Sequence, residues 1–463
     1  MADPELERLA AAVPPGVREV CEVLGRAGYE AVTVGGAVRD AMLGRDPGDW
    51  DVATSAHPDA VMKLFGHTIP TGLQHGTVTV VTGRGQARET IEVTTYRGEG
   101  AYHDGRRPES VVFGVPLVED LARRDLVVNA IAYDPVKGEL HDPFDGRGDI
   151  AARRLRAVGD ATARFTEDGL RVMRAIRFAA TLGFELDAAT EAAIPAALPS
   201  LAKVSRERVK VELDKLLGAP APGASLEIAR RTGVLAQELP EALVGIVRSP
   251  DAPSDDAAAA AGHPIWRHRL AWIDALPADA VLRTAALLSG VDGVRADATW
   301  RRLKGANDER DRLVRLVKAV WTGRDGVVPE PTLRRVLAAA GRARGEDLVA
   351  LWNGRGVASS AVPTAAIVDA IAVVGPEAAA DAAARADAAT AVAAAATTIL
   401  GRGDPLAAGD LALTGGDLMK ELGIPPSREV GRLLEVLLSA VLDDPARNTR
   451  DELLAVARAA QTT

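Results

Sequence analysis

The chain has 463 residues, a formal net charge of −9, 3% aromatic residues and a single cysteine, Cys21. Such a length predicts two to four domains rather than one core, and one thiol excludes both a disulfide framework and a thiolate zinc site. Abundant Ala, Leu, Val and Arg fit mostly helical packing, and the negative balance argues against a nucleic-acid partner unless basic residues cluster locally.

No apolar run reaches the roughly 20 residues that span a bilayer, and Met1-Ala2-Asp3-Pro4-Glu5 is not a basic head before an apolar stretch. A cytoplasmic protein with no membrane partner is expected. Residues 17 to 28 predict a helix on which Cys21 is a small buried residue. Val32-Thr33-Val34 then predicts a strand, Gly35-Gly36 a turn and Ala37 to Leu43 a helix start, where backbone N–H groups suit a phosphate. In Asp49-Trp50-Asp51-Val52-Ala53-Thr54, the strand period of two puts both carboxylates on one face, where they can share hard divalent cations such as Mg²⁺. Two cations about 4 Å apart would activate a hydroxyl and stabilise a leaving pyrophosphate. Alone, a Gly-Gly or an Asp-x-Asp is commonly a plain turn or a solvated loop; their order along the chain is what points to a site.

Further strands are predicted at Thr77 to Thr82, Ile91 to Thr95 and Val111 to Phe113, with turn-rich residues Thr94 to Pro108 before the last. From Ile150 helix dominates. Asp160 to Thr166 leads into a long helix through Leu182, with Thr166 as N-cap and Glu167 and Asp168 in an acidic first turn. Asp168 and Arg171, three apart, then share one helix face. Lys203 to Leu217 predicts an amphipathic helix. The remainder is an Ala-rich helical array interrupted at Ser249 to Gly262 and near Gly401 to Gly409, and Ala378 to Thr398 is low in complexity but helix-competent. The fold class is therefore α+β: a mixed α/β head (1–150), a helical neck (151–220), a helical body (221–330) and a helical tail (331–463).

The segment from Val34 to Asp51, the run Glu119-Asp120-Leu121-Ala122-Arg123-Arg124-Asp125-Leu126-Val127-Val128-Asn129-Ala130, and Glu167-Asp168-Gly169-Leu170-Arg171 continuing to Phe178 closely resemble the class II tRNA nucleotidyltransferase and bacterial poly(A) polymerase family of the polymerase β superfamily. The resemblance covers roughly residues 30 to 217, including Val204-Ser205-Arg206-Glu207-Arg208-Val209. It returns in Leu413-Thr414-Gly415-Gly416-Asp417-Leu418-Met419 and in Pro445 to Arg450. It implies a polymerase-β-like head in which the Gly35-Gly36 pair and Arg39 contact a triphosphate, with Asp40 holding Arg39 or a backbone amide. Asp49 and Asp51 would hold the metals, and Glu92 is the candidate third carboxylate that deprotonates an RNA 3′ hydroxyl. Arg124 and Asp125, with Asn129, would read the ribose, although Leu126 and Val127 stand where the family has an aromatic and a hydroxyl residue. Asp168 and Arg171 would offer acceptors and donors to the base edge, selecting C or A without a nucleic-acid template, and Arg174 and Arg177 would continue the row toward the nucleotide. Pairing of these arginines with Glu167 and neighbouring carboxylates is the structural alternative.

The resemblance extends to other phrases. Asp142 to Ile150, followed by Leu155 to Asp160, resembles a hinge between head and neck, or is a tight turn. Ile69-Pro70-Thr71-Gly72-Leu73-Gln74-His75-Gly76-Thr77-Val78 resembles the tRNA-type members, and Tyr96 to Pro108, with Tyr102, Asp104, Arg106 and Arg107, resembles their flexible loop. Lys203, Arg206, Arg208 and Lys210 are candidate RNA-phosphate partners or a solvated helix face. Trp266-Arg267-His268 and Leu282 to Leu288 resemble an HD phosphohydrolase scaffold, but Ser289-Gly290 replaces its His-Asp, so a helical remnant without phosphatase activity is expected. The implied activity is Mg²⁺-dependent addition of CCA to the tRNA acceptor arm from CTP and ATP. An A-adding enzyme, a poly(A) polymerase and a non-catalytic RNA-binding protein are the alternatives, and the residues do not choose between monomer and dimer.

Overall fold

Short β-branched runs build the sheet of the head. A computed structural model describes residues 4–83, 85, 88–99, 111–244, 264–322, 327–361 and 377–461. Its head strands are β1 (Ala31–Val34), β2 (Asp51–Thr54), β3 (Thr68–Gly72), β4 (Thr77–Thr82), β5 (Glu89–Thr95), β6 (Arg97–Glu99), β7 (Val111–Phe113), β8 (Ala132–Asp134) and β9 (Glu139–His141). Seven of them form one sheet in the order β3-β4-β5-β2-β1-β8-β9, while β6 and β7 pair separately. Only β2 and β5 run parallel within the large sheet. The interior strand β1 is buried at all four positions, as expected where both faces are covered. Pro70 stands in the edge strand β3, where a missing N–H costs no ladder bond.

Val32, Val34, Ala53, Tyr96, Leu121, Val127, Ala130, Ala132 and Val158 form a core on this sheet. Each large apolar side chain so buried contributes about 1.5–3 kcal/mol. Leu126 and Val127, the departures from the family pattern, are 0% and 1% exposed and so act as packing residues. Cys21 is buried on the helix Pro15–Arg26, as predicted.

Two local predictions need correction. Regular strand begins only at Asp51, so Asp49 lies in a bend before it; Trp50 between them is buried, and the in–out alternation still holds. The helix predicted from a Thr166 cap through Leu182 starts later, and the lead-in before it is itself helical. Asp160 caps Ala161–Glu167 by accepting from the N–H of Ala163, so Thr166 lies inside that helix and caps nothing. The chain breaks at Asp168, in extended conformation, and restarts as Leu170–Leu182. Packing forces the break: a Cβ on Gly169 would stand 2.2 Å from the backbone nitrogen of Leu201. Strands β8 and β9 and the edge strand β3 were not foreseen either. The Asp142–Ile150 segment enters the short helix Gly146–Ala151, whose first N–H groups, of Gly146 and Arg147, donate to the Asp142 carboxylate at 2.6 and 2.9 Å. Tyr102, Asp104, Arg106, Arg107 and the linker at 249–262 lie outside the described residues.

Backbone contacts divide the chain into two compact units, Met1–Glu212 with Thr232–Gln237, and Leu213–Arg231 with Glu238–Thr463. The second is helical, with Pro264–Ala275, Ala280–Leu287, Gly293–Arg302, Asn307–Ala319, Glu330–Ala340, Gly345–Ala361 and Glu377–Arg402 leading to Gly415–Leu422, Arg428–Asp443 and Arg450–Gln461. Four fully buried tryptophans anchor it, and each indole N–H is satisfied: Trp266 by Glu227, Trp272 by the Leu351 carbonyl, Trp300 by Ala306 and Trp352 by Ala319. Arg283, 1% exposed, donates to the carbonyls of Leu217, Ala219, Pro220 and Leu276. In the tail, Thr414 and Asp417 form a capping box, and Arg450 reaches Asp417 and Glu421, joining the two C-terminal phrases singled out in the sequence. Among the described residues no helix is long and apolar enough to cross a membrane.

Gly169→Ala is expected to lose about 3 kcal/mol of stability, because the obstacle is backbone that cannot rotate away. Gly25→Ala, an exposed helical glycine with nothing within 4 Å of the new methyl, is expected to gain about 0.5 kcal/mol. Urea unfolding of both variants checks this; equal stabilities would contradict the packing account.

Candidate active site

Strand β1 delivers the chain to Gly35, whose φ of 81° is open to glycine without strain. The helix Gly36–Met42 follows. Against this turn lies Arg124: its Nη1 is 3.1 Å from where a Gly35 Cβ would stand, and its buried Nε has no hydrogen-bond partner. An orphaned guanidinium donor beside a bare backbone turn is a place for an acceptor-rich ligand.

Next along the sheet, the pairing of β2 with β5 sets Asp51 directly opposite Glu92. Both open to solvent, as does Asp49. Crowding by the surrounding sheet pushes the Asp51 carboxyl up to about 6, the charges of Glu92 and Asp49 push in the same direction, and Arg124 opposes them. Among the described residues no three His, Cys, Asp or Glu side chains are gathered closely enough to cage a metal. The donor chemistry nevertheless fits a hard divalent cation, since carboxylate oxygens that repel one another at an accessible edge are relieved by positive charge.

Behind the turn runs a buried polar chain. Arg39, 6% exposed, donates through Nε and Nη2 to the two Asp40 oxygens at 2.9 and 2.8 Å and through Nη1 to Asn129. The Asn129 amide donates to Asp125 at 3.0 Å, and Asp125 also accepts from the N–H of Leu126 at 2.8 Å and from Arg174 Nε at 2.7 Å. Burial pushes the Asp125 carboxyl upward, but Arg174 and these hydrogen bonds outweigh it and hold the group well below the usual carboxylate range. Arg174 also lies 4.0 Å from Glu212, which accepts from Arg177 at 2.5 Å. The Phe178 ring has the guanidinium carbons of Arg177, Arg39 and Arg174 at 3.8, 5.0 and 5.3 Å from its centroid.

Asp168 and Arg171 meet only through the backbone, where the Arg171 N–H donates to the Asp168 carbonyl at 2.9 Å, and their side chains turn to other partners. The Asp168 carboxylate accepts from the N–H of Leu170 and lies 3.4 Å from Arg208. Arg171 donates to Glu167 at 2.7 Å and to the carbonyls of Arg164 and Arg123 at 3.0 Å each, so the Glu167 pairing weighed as the structural alternative is present. Of the basic candidates on the neck, Lys203 is exposed, Arg206 is half-buried and Lys210 is only 6% exposed. In the second unit His268 donates to or accepts from Ser359 at 2.9 Å beside Trp272, and burial first, then Arg355 and Arg269, pushes it down to about 4.

Three contributors went unassigned in the sequence. Asp120 is 1% exposed and binds Arg123 and Arg124, a link that the i,i+3 and i,i+4 spacing does signal. Phe178 could have been found as the aromatic beside an arginine row. Glu212 carries no local signal, since it meets Arg177 from 35 residues away.

Comparison with known proteins places this geometry. Residues 31–156 match the poly(A) polymerase head domain, 183–244 the "Probable RNA and SrmB-binding site of polymerase A", and 406–457 tRNA nucleotidyltransferase domain 2. The chain is 53% identical over 211 residues to the CCA-adding enzyme of Geobacillus thermodenitrificans, covering 46% of this chain and 51% of that enzyme; it thus spans about half the length of several curated relatives it matches. To the CCA-adding enzyme of Geobacillus kaustophilus it is 41% identical over 337 residues, 68% of this chain and 80% of that one. The crystal structure of the Bacillus stearothermophilus CCA-adding enzyme in complex with CTP superposes with a TM-score of 0.68 at 30% identity, over 97% of this chain and 99% of that chain. With its head, neck and tail all matched and one relative aligned over four-fifths of its length, the chain belongs to the CCA-adding enzyme family.

Proposed function

We propose that this protein adds CCA, without a nucleic-acid template, to the 3′ end of tRNA from CTP and ATP and releases pyrophosphate, with Mg²⁺ as its cation. The observation that carries this reading is the meeting, on one edge of the sheet, of Asp49, Asp51 and Glu92 with Arg124 and the Gly35 turn. The 30% identity to a CTP-bound CCA-adding enzyme over nearly the whole chain supports it.

In this reading Asp49 and Asp51 would hold the cations, whose charge would favour ionisation of the attacking hydroxyl and offset that of the leaving pyrophosphate. The 3′ oxygen of tRNA bonds to the α-phosphorus of the nucleotide as the bond to pyrophosphate breaks, and Glu92 accepts the hydroxyl proton. Arg124, with its unpaired Nε, supplies charge to the nucleotide beside the Gly35-Gly36 turn. Asp125 and Asn129 set the ribose side, and Arg39, held internally by Asp40 and Asn129, fixes the turn from behind. Asp168 and Arg171 read the base edge after exchanging Arg208 and Glu167 for the nucleotide, and Arg174 and Arg177 keep the pocket cationic. Residues 1–150 act as catalytic head, 151–220 as neck with the base-selecting helix, 221–330 as body and 331–463 as tRNA-binding tail. Lys203 and Arg206, at the start of the neck helix Arg206–Leu217, are the accessible candidates for acceptor-arm phosphates, with Arg208 near Asp168 and Lys210 inward.

The test is extension of tRNA transcripts ending before CCA, after C and after CC, with CTP, ATP or both. All three are expected to finish at a single CCA end, and Asp49→Ala is expected to slow incorporation about 100-fold or more. Addition of A to the CC-ended transcript alone would make this an A-adding enzyme, long A tails a poly(A) polymerase, and binding of RNA without turnover a non-catalytic protein.

The raised Asp51 value gives a second expectation. A cation requires the ionised carboxylate, so Mg²⁺ affinity should be full only well above the Asp51 pKa and fall as pH drops through about 6. In the cation-free protein the same shift works the other way. Its contribution to folding stability is complete below pH 3.8 and is lost as pH rises through about 6. Mg²⁺ titration at pH 7.5 and pH 5 checks the first; equal affinities would contradict it.

A further inference from the structure

Asp120 lies on the helix Leu117–Ala122, is almost wholly buried, and has no part in the roles assigned above. One carboxylate there serves three residues on two stretches of chain. Its Oδ1 accepts from Arg123 Nε and Nη2 at 3.0 and 2.8 Å and from the N–H of Arg97 at 3.3 Å, while Oδ2 accepts from Arg124 Nη2 at 3.2 Å. Burial pushes its pKa up, but Arg123 and Arg124 more than offset this and keep it lowered. Each arginine leads on to the site. The Arg124 side chain reaches the Gly35 turn, and the Arg123 carbonyl accepts from Arg171 Nη2 at 3.0 Å.

We propose that Asp120 is a positioning residue for nucleotide selection, one buried anchor that fixes Arg124 against the Gly35 turn and the Arg123 carbonyl beneath Arg171. The inference rests on the nucleotidyltransferase reading and extends it to a residue that touches no substrate. Without the carboxylate two neighbouring guanidiniums face each other unneutralised, and Arg124, already without a partner at Nε, loses the contact that aims it. The anchor acts directly on the arginines proposed to receive the nucleotide and only through Arg124 on the Asp51 carboxylate. Its loss should therefore appear in nucleotide binding before it appears in turnover.

The experiment is steady-state extension with CTP of the transcript lacking CCA and with ATP of the CC-ended one, for wild type, Asp120→Asn, Arg124→Gln and the double variant. Asp120→Asn should raise KM for both nucleotides about tenfold, with kcat within about threefold, and should narrow the preference for CTP over dCTP. The double variant should be no more than about twofold worse than Arg124→Gln, because the two residues act as one unit. An active wild type with an unchanged KM in Asp120→Asn, or effects that multiply in the double variant, would overturn the inference alone. A wild type that adds no nucleotide would overturn the functional reading and the inference with it. If Asp120→Asn does not unfold cooperatively, Asp120→Glu keeps the charge but displaces it by one methylene. It should raise KM in the same way, and a wild-type KM there would equally overturn the proposal.

Discussion

The polar chain from Asp40 through Arg39, Asn129, Asp125, Arg174 and Glu212 to Arg177 ties together four segments far apart in sequence. Guanidiniums taken out of water are tolerated here because each faces an acceptor, and because the Phe178 ring offers three of them a face. Breaking such a chain is expensive: removing one partner of a buried pair like Arg177 and Glu212 costs about 3–5 kcal/mol. The turn at Gly35-Gly36, the turn at Val127–Asn129 and the helix Leu170–Leu182 are thereby held in one arrangement. In the proposed function much of this charge is placed before a nucleotide binds, and what remains is the exchange of Arg208 and Glu167 at Asp168 and Arg171.

Two buried carboxylates divide this work. Asp125 holds the chain behind the pocket, and Asp120 gathers the arginines at its edge. The acidic edge differs in kind. Asp49, Asp51 and Glu92 are accessible, and Glu92 and Asp49 raise the Asp51 pKa, a repulsion that the proposed cations would relieve. The overall charge of −9 is no obstacle to an anionic substrate in this setting, since the sign that matters is that of Arg124 and its neighbours at the pocket.

Much of this was legible where local rules decide. The strand, turn and helix around Gly35-Gly36 and the strands Thr77 to Thr82 and Val111 to Phe113 followed from periodicity and turn chemistry. The break at Asp168-Gly169 was not legible, because the cause is the backbone of Ser200 and Leu201 packed on Gly169, a contact with no trace in local propensity. The short strands Ala132–Asp134 and Glu139–His141 are fixed by pairing with one another and with β1. Arg171 illustrates the limit at the site: spacing puts it one turn from Asp168, yet Glu167 and two carbonyls hold it. Asp120 had the spacing signal, and only its burial reveals that the charge faces inward.

In the proposed function protein side chains, preset by the buried charges, choose the incoming base. Equilibrium binding of CTP, ATP, GTP and UTP to the tRNA-free protein at fixed Mg²⁺ tests it most directly. The account predicts that CTP and ATP bind about tenfold or more tighter than GTP and UTP, because mismatched donors and acceptors at Asp168 and Arg171 would be left unpaired. Equal binding of all four would contradict it and assign the choice of base to the RNA.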